Sequence, residues 1–309
     1  MSDQKTPESA FMQALNVLRG EIDGIDDKII ALLKDRSAIV QKVGALKAQE
    51  TPGRCPVRAG REAQQLRRVV EAFKDSPFQP AAAAAMWRMI IMASLAIEGE
   101  IKISVCVPDR SRSEYFWLAR EYFGPFATFI RQPTPKRVMG DLIDGKAQVG
   151  VLPPFTEQSQ GRWWTDIPGK DEGSKPKVFA LLPFVHMNKP TPDTPTAVAV
   201  GLVEPEETGD DLSYLFIEVD EMVSHSKLQT VFAQVKLEAR WLEVMTQIPG
   251  KRHHLVEVKG FITPEHEQYK AFCAAMNNTI ISTSFLGAAA SPVILNHQPQ
   301  PSHAQLAHA

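Results

Sequence analysis

A helical run that carries two cations on its apolar side constrains this chain more than any other feature. Stepped at about 100° per residue, Leu18, Ile22, Ile25, Ile29, Leu32, Val40 and Val43 fall within one narrow arc, and Arg36 and Lys47 fall within the same arc. The pattern predicts a helix of more than about thirty residues, too long to bury its stripe within a three-helix monomer. An Arg and a Lys on a dry face are costly unless anions meet them. Two readings follow: structural ion pairs with acids from neighbouring helices, such as Glu62 or Glu98, or a pocket for a small polyanion inside a helical bundle.

The run stops at the breakers Thr51-Pro52-Gly53-Arg54-Cys55-Pro56. A second helical pattern opens with Arg61-Glu62 and continues through Leu66, Val69, Val70 and Phe73. A third begins near Pro80 and runs to Glu98, with Met86, Ile90, Ala93 and Ile97 on one face. Trp87, Ile91, Ser94 and Glu98 line a second face, which sets the Ser hydroxyl and the Glu carboxyl one turn apart and pointing the same way.

The ordered pattern Leu18-Arg19-x-x-Ile22-Asp23-x-Ile25-Asp26, Leu32-Leu33-x-x-Arg36, Val43-Gly44-x-x-Lys47, Pro56-Val57-Arg58, Arg61-Glu62 and Ser94-x-x-x-Glu98 resembles the all-helical chorismate mutase family. The resemblance covers roughly residues 12 to 100. It implies three helices per subunit intertwined in a homodimer, with each active site borrowing one arginine from the other chain, and residues 1 to 102 able to dimerise alone. Converting chorismate to prephenate is an intramolecular rearrangement without nucleophile, proton transfer or cofactor, so the protein need only select a compact conformer and stabilise charge at the breaking ether bond. The substrate is a dicarboxylate, which Arg forks hold bidentately. The family pattern implies catalytic roles for Arg36, Lys47, Glu98 and Arg19. Arg36 and the partner-chain Arg19 would bind the carboxylates, and Lys47 and Glu98 would flank the ether oxygen. Arg61, Glu62, Ser94 and Arg58 would contact substrate, Glu62 taking the ring hydroxyl. Two departures stand out: Glu98 occupies a place where most relatives carry Gln, and the loop from Pro56 to Glu62 is one residue shorter than the commoner pattern and lacks its Asp.

The remainder is framed by length and composition. A chain of 309 residues with 44% hydrophobic content supports two or three domains. No apolar run is read as approaching the ~20 residues needed to cross a bilayer. The first residues carry no apolar signal core, and Cys55, Cys106 and Cys273 have neither disulfide nor metal spacing; a cytoplasmic setting is expected. With a net charge of −2 and no basic patch interleaved with aromatics, nucleic acid is not an expected partner.

From Ile101 the texture changes to α/β. Strands are expected at Ile103–Val107, Ala127–Ile130 and Val149–Pro153, with helices at Ser113–Tyr122 and Lys136–Ile143. This order, with Pro108, Leu118-Ala119-Arg120-Glu121-Tyr122-Phe123-Gly124 and Gly150-Val151-Leu152-Pro153, resembles the first lobe of prephenate dehydratase. The family's Ile-Glu-Asn-Thr stretch is replaced here by Pro154-Phe155-Thr156-Glu157, and its Thr-Arg-Phe signature by Thr196-Ala197-Val198. Only about 45 residues separate these points, too few for a ~100-residue second lobe. The expectation is therefore a truncated, periplasmic-binding-like lobe without dehydratase chemistry, with Glu157 to Lys177 as a loop.

The next segment alternates as strand (Tyr214–Val219), helix (Ser226–Leu237), strand (Arg240–Gln247), strand (Leu255–Phe261), helix (Glu265–Met276), strand (Thr279–Phe285), a ferredoxin-like βαββαβ order. It resembles an ACT regulatory domain, in which an aromatic amino acid is the possible effector. Of the phenylalanine-binding stretches only Pro249 of Thr246-Gln247-Ile248-Pro249 is kept, and Ser226-Lys227-Leu228 replaces the Gly-Ala-Leu stretch. His253 and His254 alternate across a strand, so they are read as one surface and one core residue, not a metal pair; Trp163-Trp164 are read as a folded-over lid. The expected divisions are 1–100 mutase, 101–205 dehydratase-like, 206–291 ACT-like and 292–309 a disordered tail. The leading functional reading is chorismate mutase; a bifunctional mutase and dehydratase, or a noncatalytic sensor of chorismate or an aromatic product, are the alternatives.

Overall fold

The computed structural model describes residues 7–50, 55–109, 113–157, 159, 161–167, 175–246 and 248–295. Expectations that fall on Thr51–Arg54, on much of the loop before Lys177, on Gln247 and on the tail beyond 295 lie outside these residues. The chain divides into two compact units: residues 1–53 with 97–99, and residues 54–96 with 100–309.

The first unit is helix α1, Pro7–Glu50, about 66 Å long at 1.5 Å per residue, together with the last residues of α3 (Pro80–Glu98). The apolar stripe lies along α1 as the periodicity predicts, yet Leu18, Ile22, Ile25 and Leu32 each remain more than half exposed. Gly44 is the point of closest approach: a Cβ there would sit 3.3 Å from the Glu98 Cα. A bare glycine lets the end of α3 lie directly on α1.

The second unit is built on one nine-stranded sheet. Strands β1 (Lys102–Cys106), β2 (Thr128–Gln132) and β3 (Val149–Leu152) are parallel in the order β2-β1-β3. They are joined through α4 (Glu114–Phe123) and α5 (Pro135–Ile143). The Thr134 side chain caps α5 by accepting from the Arg137 N–H, with Pro135 in its first turn. Beyond β3 come β6 (Ala197–Gly201), antiparallel, and then β4 (Lys177–Leu182), strands for which the sequence patterns carry no expectation. The short β5 (Val185–His186) pairs with β11 (Val293–Ile294), so the segment after Pro292 opens on a strand where a disordered tail was expected.

The ferredoxin-like part has the expected order: β7 (Asp211–Asp220), α6 (His225–Gln234), β8 (Ala239–Met245), β9 (Lys251–Lys259), α7 (Glu267–Met276) and β10 (Ile280–Ala290). Its strands run antiparallel as β10-β7-β9-β8. Leu215, Ile217, Val256 and Val258 bury against Leu228, Phe232 and Phe272 of the two helices. This part is not a separate sheet. β10 pairs in parallel with β4 at Gly287, where φ is +128° and a Cβ would stand 2.2 Å from the Val178 carbonyl oxygen. A bulge between Phe285 and Gly287 turns the strand there.

Helices α2 (Ala59–Ala72) and α3 belong to the core of this same unit. Ala63, Leu66, Ile91, Met92 and Leu95 pack with Ile103 and Val105 of β1 and Phe116, Ala119 and Phe123 of α4. One expectation is corrected here. The 19 residues of α3 are long and apolar enough to cross a membrane by length and composition, with a mean hydropathy of 1.5; the helix instead spends Ile91, Met92 and Leu95 on the sheet core. On the opposite face Trp164 is buried, and Trp163 stacks 5.0 Å from Phe155 and donates from Nε1 to the Pro153 carbonyl at 3.0 Å. The two tryptophans are core, covering Tyr214 and Phe216.

Candidate active site

In the first unit, Lys47 Nζ donates to Glu98 Oε2 at 2.6 Å, with the Glu98 side chain only 10% exposed. Lys47 arrives from the last turn of α1 and Glu98 from the last residue of α3. The pairing is one of those foreseen for the cations on the stripe. Arg36 is half-buried three turns earlier, and Arg19 is exposed.

In the second unit Arg58, Arg61 and Glu62 stand at the start of α2, and Ser94 lies in α3. Arg58 Nε donates to Glu206 Oε1 at 2.8 Å, and the backbone N–H of Arg61 donates to Glu206 Oε2 at 3.2 Å. The carboxylate of Glu206 thus sits on the first turn of the helix, where the unpaired N–H groups favour an anion. Gly60 permits it, since a Cβ there would meet the Glu206 Cβ at 2.6 Å. The Arg61 side chain is exposed. Ser94 is buried and its hydroxyl donates to the Ile90 carbonyl one turn back at 2.7 Å.

Glu62 is 4% exposed. Its Oε2 accepts from Arg88 Nη1 at 3.0 Å, while Oε1 is buried with no hydrogen-bond partner among the described residues. The Arg88 guanidinium in turn lies 3.9 Å over the Tyr122 ring and 5.9 Å from the Phe184 ring centroid. Burial pushes the Glu62 carboxyl above its usual range; the Arg88 cation pulls the other way without cancelling it. Burial pushes the Tyr122 phenol up to about 12.

Sequence reasoning missed Arg88. The signal was present, because Arg88 leads Ile91, Met92 and Leu95 at helical spacing and is therefore a cation on an apolar stripe, the same mark that singled out Arg36 and Lys47.

Residues 18–99 match the family model of chorismate mutase type II. This segment is similar to the chorismate mutase type II family. Over 143 residues, 46% of this chain and 39% of the relative, the sequence is 29% identical to a bifunctional chorismate mutase/prephenate dehydratase of Aquifex aeolicus. The chain spans about two fifths of the length of the curated relatives it matches. Among solved structures, one described as GqqA, a novel type of quorum quenching acylases, aligns at TM-score 0.48 with 16% identity, over 62% of this chain and 96% of that one. A prephenate dehydratase of Arthrobacter aurescens in complex with L-Phe aligns at 0.46 with 13% identity, over 67% and 96%.

The mutase segment thus contributes α1, α2 and α3, and two of these helices are built into the core of the α/β unit. Elsewhere, no group of three or more His, Cys, Asp or Glu that could hold a metal occurs among the described residues. The histidine pair expected to divide into one surface and one core residue is buried at both positions. Both ring nitrogens of His254 are unpartnered among the described residues and its pKa is lowered by burial to about 4, while His253 Nε2 pairs with Glu218 at 2.7 Å.

Proposed function

We propose that the chain is a chorismate mutase, converting chorismate to prephenate by intramolecular rearrangement in aromatic amino-acid biosynthesis, with a C-terminal extension that carries no dehydratase chemistry. The observation that carries this reading is the family match over residues 18–99, joined by the Lys47–Glu98 pair at 2.6 Å. On the family pattern Arg36 and Arg19 of the partner subunit take the two carboxylates of the substrate. Lys47 and Glu98 flank the ether oxygen, where negative charge develops, and a fixed cation there stabilises the transition state more than the ground state. Glu62 accepts the ring hydroxyl, with Arg58, Arg61 and Ser94 supporting.

The homodimer in this proposal is supported by α1, whose exposed stripe is a row of Leu and Ile that a second copy would cover. A cytoplasmic setting and a possible aromatic amino-acid effector at the ACT-like part complete the reading. The divisions near residues 100, 205 and 291 are proposed as boundaries of role, since packing does not stop at residue 100. The replacement of the dehydratase Glu and Asn by Pro154-Phe155-Thr156-Glu157 supports the absence of a second activity.

The test is an ultraviolet assay of chorismate disappearance with purified full chain, followed by enzymatic assay for phenylpyruvate at neutral pH. Loss of chorismate without phenylpyruvate is the expected result. No turnover overturns the mutase reading, and enzymatic phenylpyruvate favours the bifunctional alternative.

A further inference from the structure

We propose that Arg88 is a positioning residue for Glu62, held by Tyr122 and Phe184, so that the α/β body sets the mutase contact to the substrate's ring hydroxyl. The inference rests on the mutase reading above and gives the extension a physical role in it.

Three observations carry it. First, the carboxylate is divided: Oε2 is taken by Arg88 at 3.0 Å, and Oε1 is buried with no hydrogen-bond partner among the described residues. A buried acceptor left open is unfavourable unless a donor reaches it in the working state, and a substrate hydroxyl is such a donor. Second, Arg88 is itself fixed. Its side chain is 11% exposed, stacked at 3.9 Å on Tyr122 of α4 and lying beside Phe184 between β4 and β5. A guanidinium clamped on an aromatic face presents its fork in one orientation. Third, the anchors stand outside the mutase segment, yet Tyr122 shares one core with Leu66 of α2 and Ile91 of α3.

The groups facing Glu62 are Arg88 from α3, Tyr122 from α4, the backbone of Arg58 and, at longer range, Glu206. Burial and Glu206 disfavour its charged form; Arg88 and the Arg58 backbone favour it. Removing the Arg88 cation therefore raises the carboxyl further, and the acid limb of kcat/KM moves to higher pH.

The experiment uses the full chain with Arg88→Met, Arg88→Lys, Tyr122→Phe, Tyr122→Ala, Glu62→Gln and the double variant Glu62→Gln/Arg88→Met. Circular dichroism and thermal melts verify folding. The double variant removes both buried charges and so remains informative if Arg88→Met alone unfolds. Arg88→Met is expected to lower kcat/KM for chorismate on the order of tenfold, the scale of one charge-assisted contact, to shift the acid limb upward, and to have little effect on an analogue lacking the ring hydroxyl. Arg88→Lys restores part of the loss. Tyr122→Phe keeps the ring and stays near wild type, whereas Tyr122→Ala behaves like Arg88→Met. The double variant should lose no more than Glu62→Gln alone. If Arg88→Met folds and changes kcat/KM less than twofold while Glu62→Gln is impaired, or if its loss is equal on the analogue without the hydroxyl, the positioning role is overturned and the mutase reading stands. A wild-type chain that does not turn over chorismate overturns both.

Discussion

Lys47 Nζ and Glu98 Oε2 stand 2.6 Å apart, joining the last turn of α1 to the last residue of α3 at the point where Gly44 lets the two helices touch. The pair explains how a lysine sits on an apolar stripe.

Lys47→Ala is expected to lower kcat by about 10²–10³, the cost of one preorganised donor at developing charge. Arg36→Ala should cost a similar factor, more of it in KM, because a carboxylate fork serves ground and transition state alike. Steady-state kinetics on chorismate check both, and near wild-type turnover in either variant removes that residue from the site.

Glu98→Gln replaces the group that accepts from Lys47 Nζ at 2.6 Å by a neutral amide that can donate to the ether oxygen. Steady-state kinetics should show turnover of chorismate kept or raised in Glu98→Gln. A loss of about tenfold or more would place Glu98 away from the ether oxygen.

Assembly can be read through activity. The full chain should run as a dimer by light scattering, and mixing inactive Arg19→Ala and Arg36→Ala chains should restore part of the activity through hybrid dimers. The helix pattern alone expects residues 1–102 to dimerise, but the packing argues otherwise: that fragment should fail to unfold cooperatively, since Leu66, Ile91, Met92 and Leu95 lose the sheet that buries them, each worth about 1.5–3 kcal/mol. A sharp thermal transition in the fragment would contradict this.

Gly287→Ala should destabilise the fold by about 3 kcal/mol or more, combining a disfavoured backbone conformation with a methyl driven into the Val178 backbone. The fall in Tm is the measurement. An unchanged Tm would mean that β10 does not meet β4 as described.

His254 sets a pH dependence of stability. Its folded pKa of about 4 lies below the ordinary 6.5, so the unfolded chain binds the extra proton first. Stability is then full above about pH 6.5 and is lost as pH falls towards 4. Urea midpoints across that range should decline in wild type and decline less in His254→Leu.

The sequence alone was enough for the long first helix, the cations on its stripe and the βαββαβ alternation, because these are local patterns of period 3.6 and 2; the roles expected of the site residues came from a resemblance. The stripe called for acids to meet its cations and offered Glu62 or Glu98; only the folded chain paired Lys47 with Glu98. Only the tertiary structure decided that β10 would fuse with β4 into one sheet, that α2 and α3 would join the α/β core, and that Arg88 would hold Glu62 against Tyr122. The strands β4 and β6 went unread for the same reason. Each depends on which residues far apart in the chain come to share a face, and periodicity records a residue's side but not what will be packed against it.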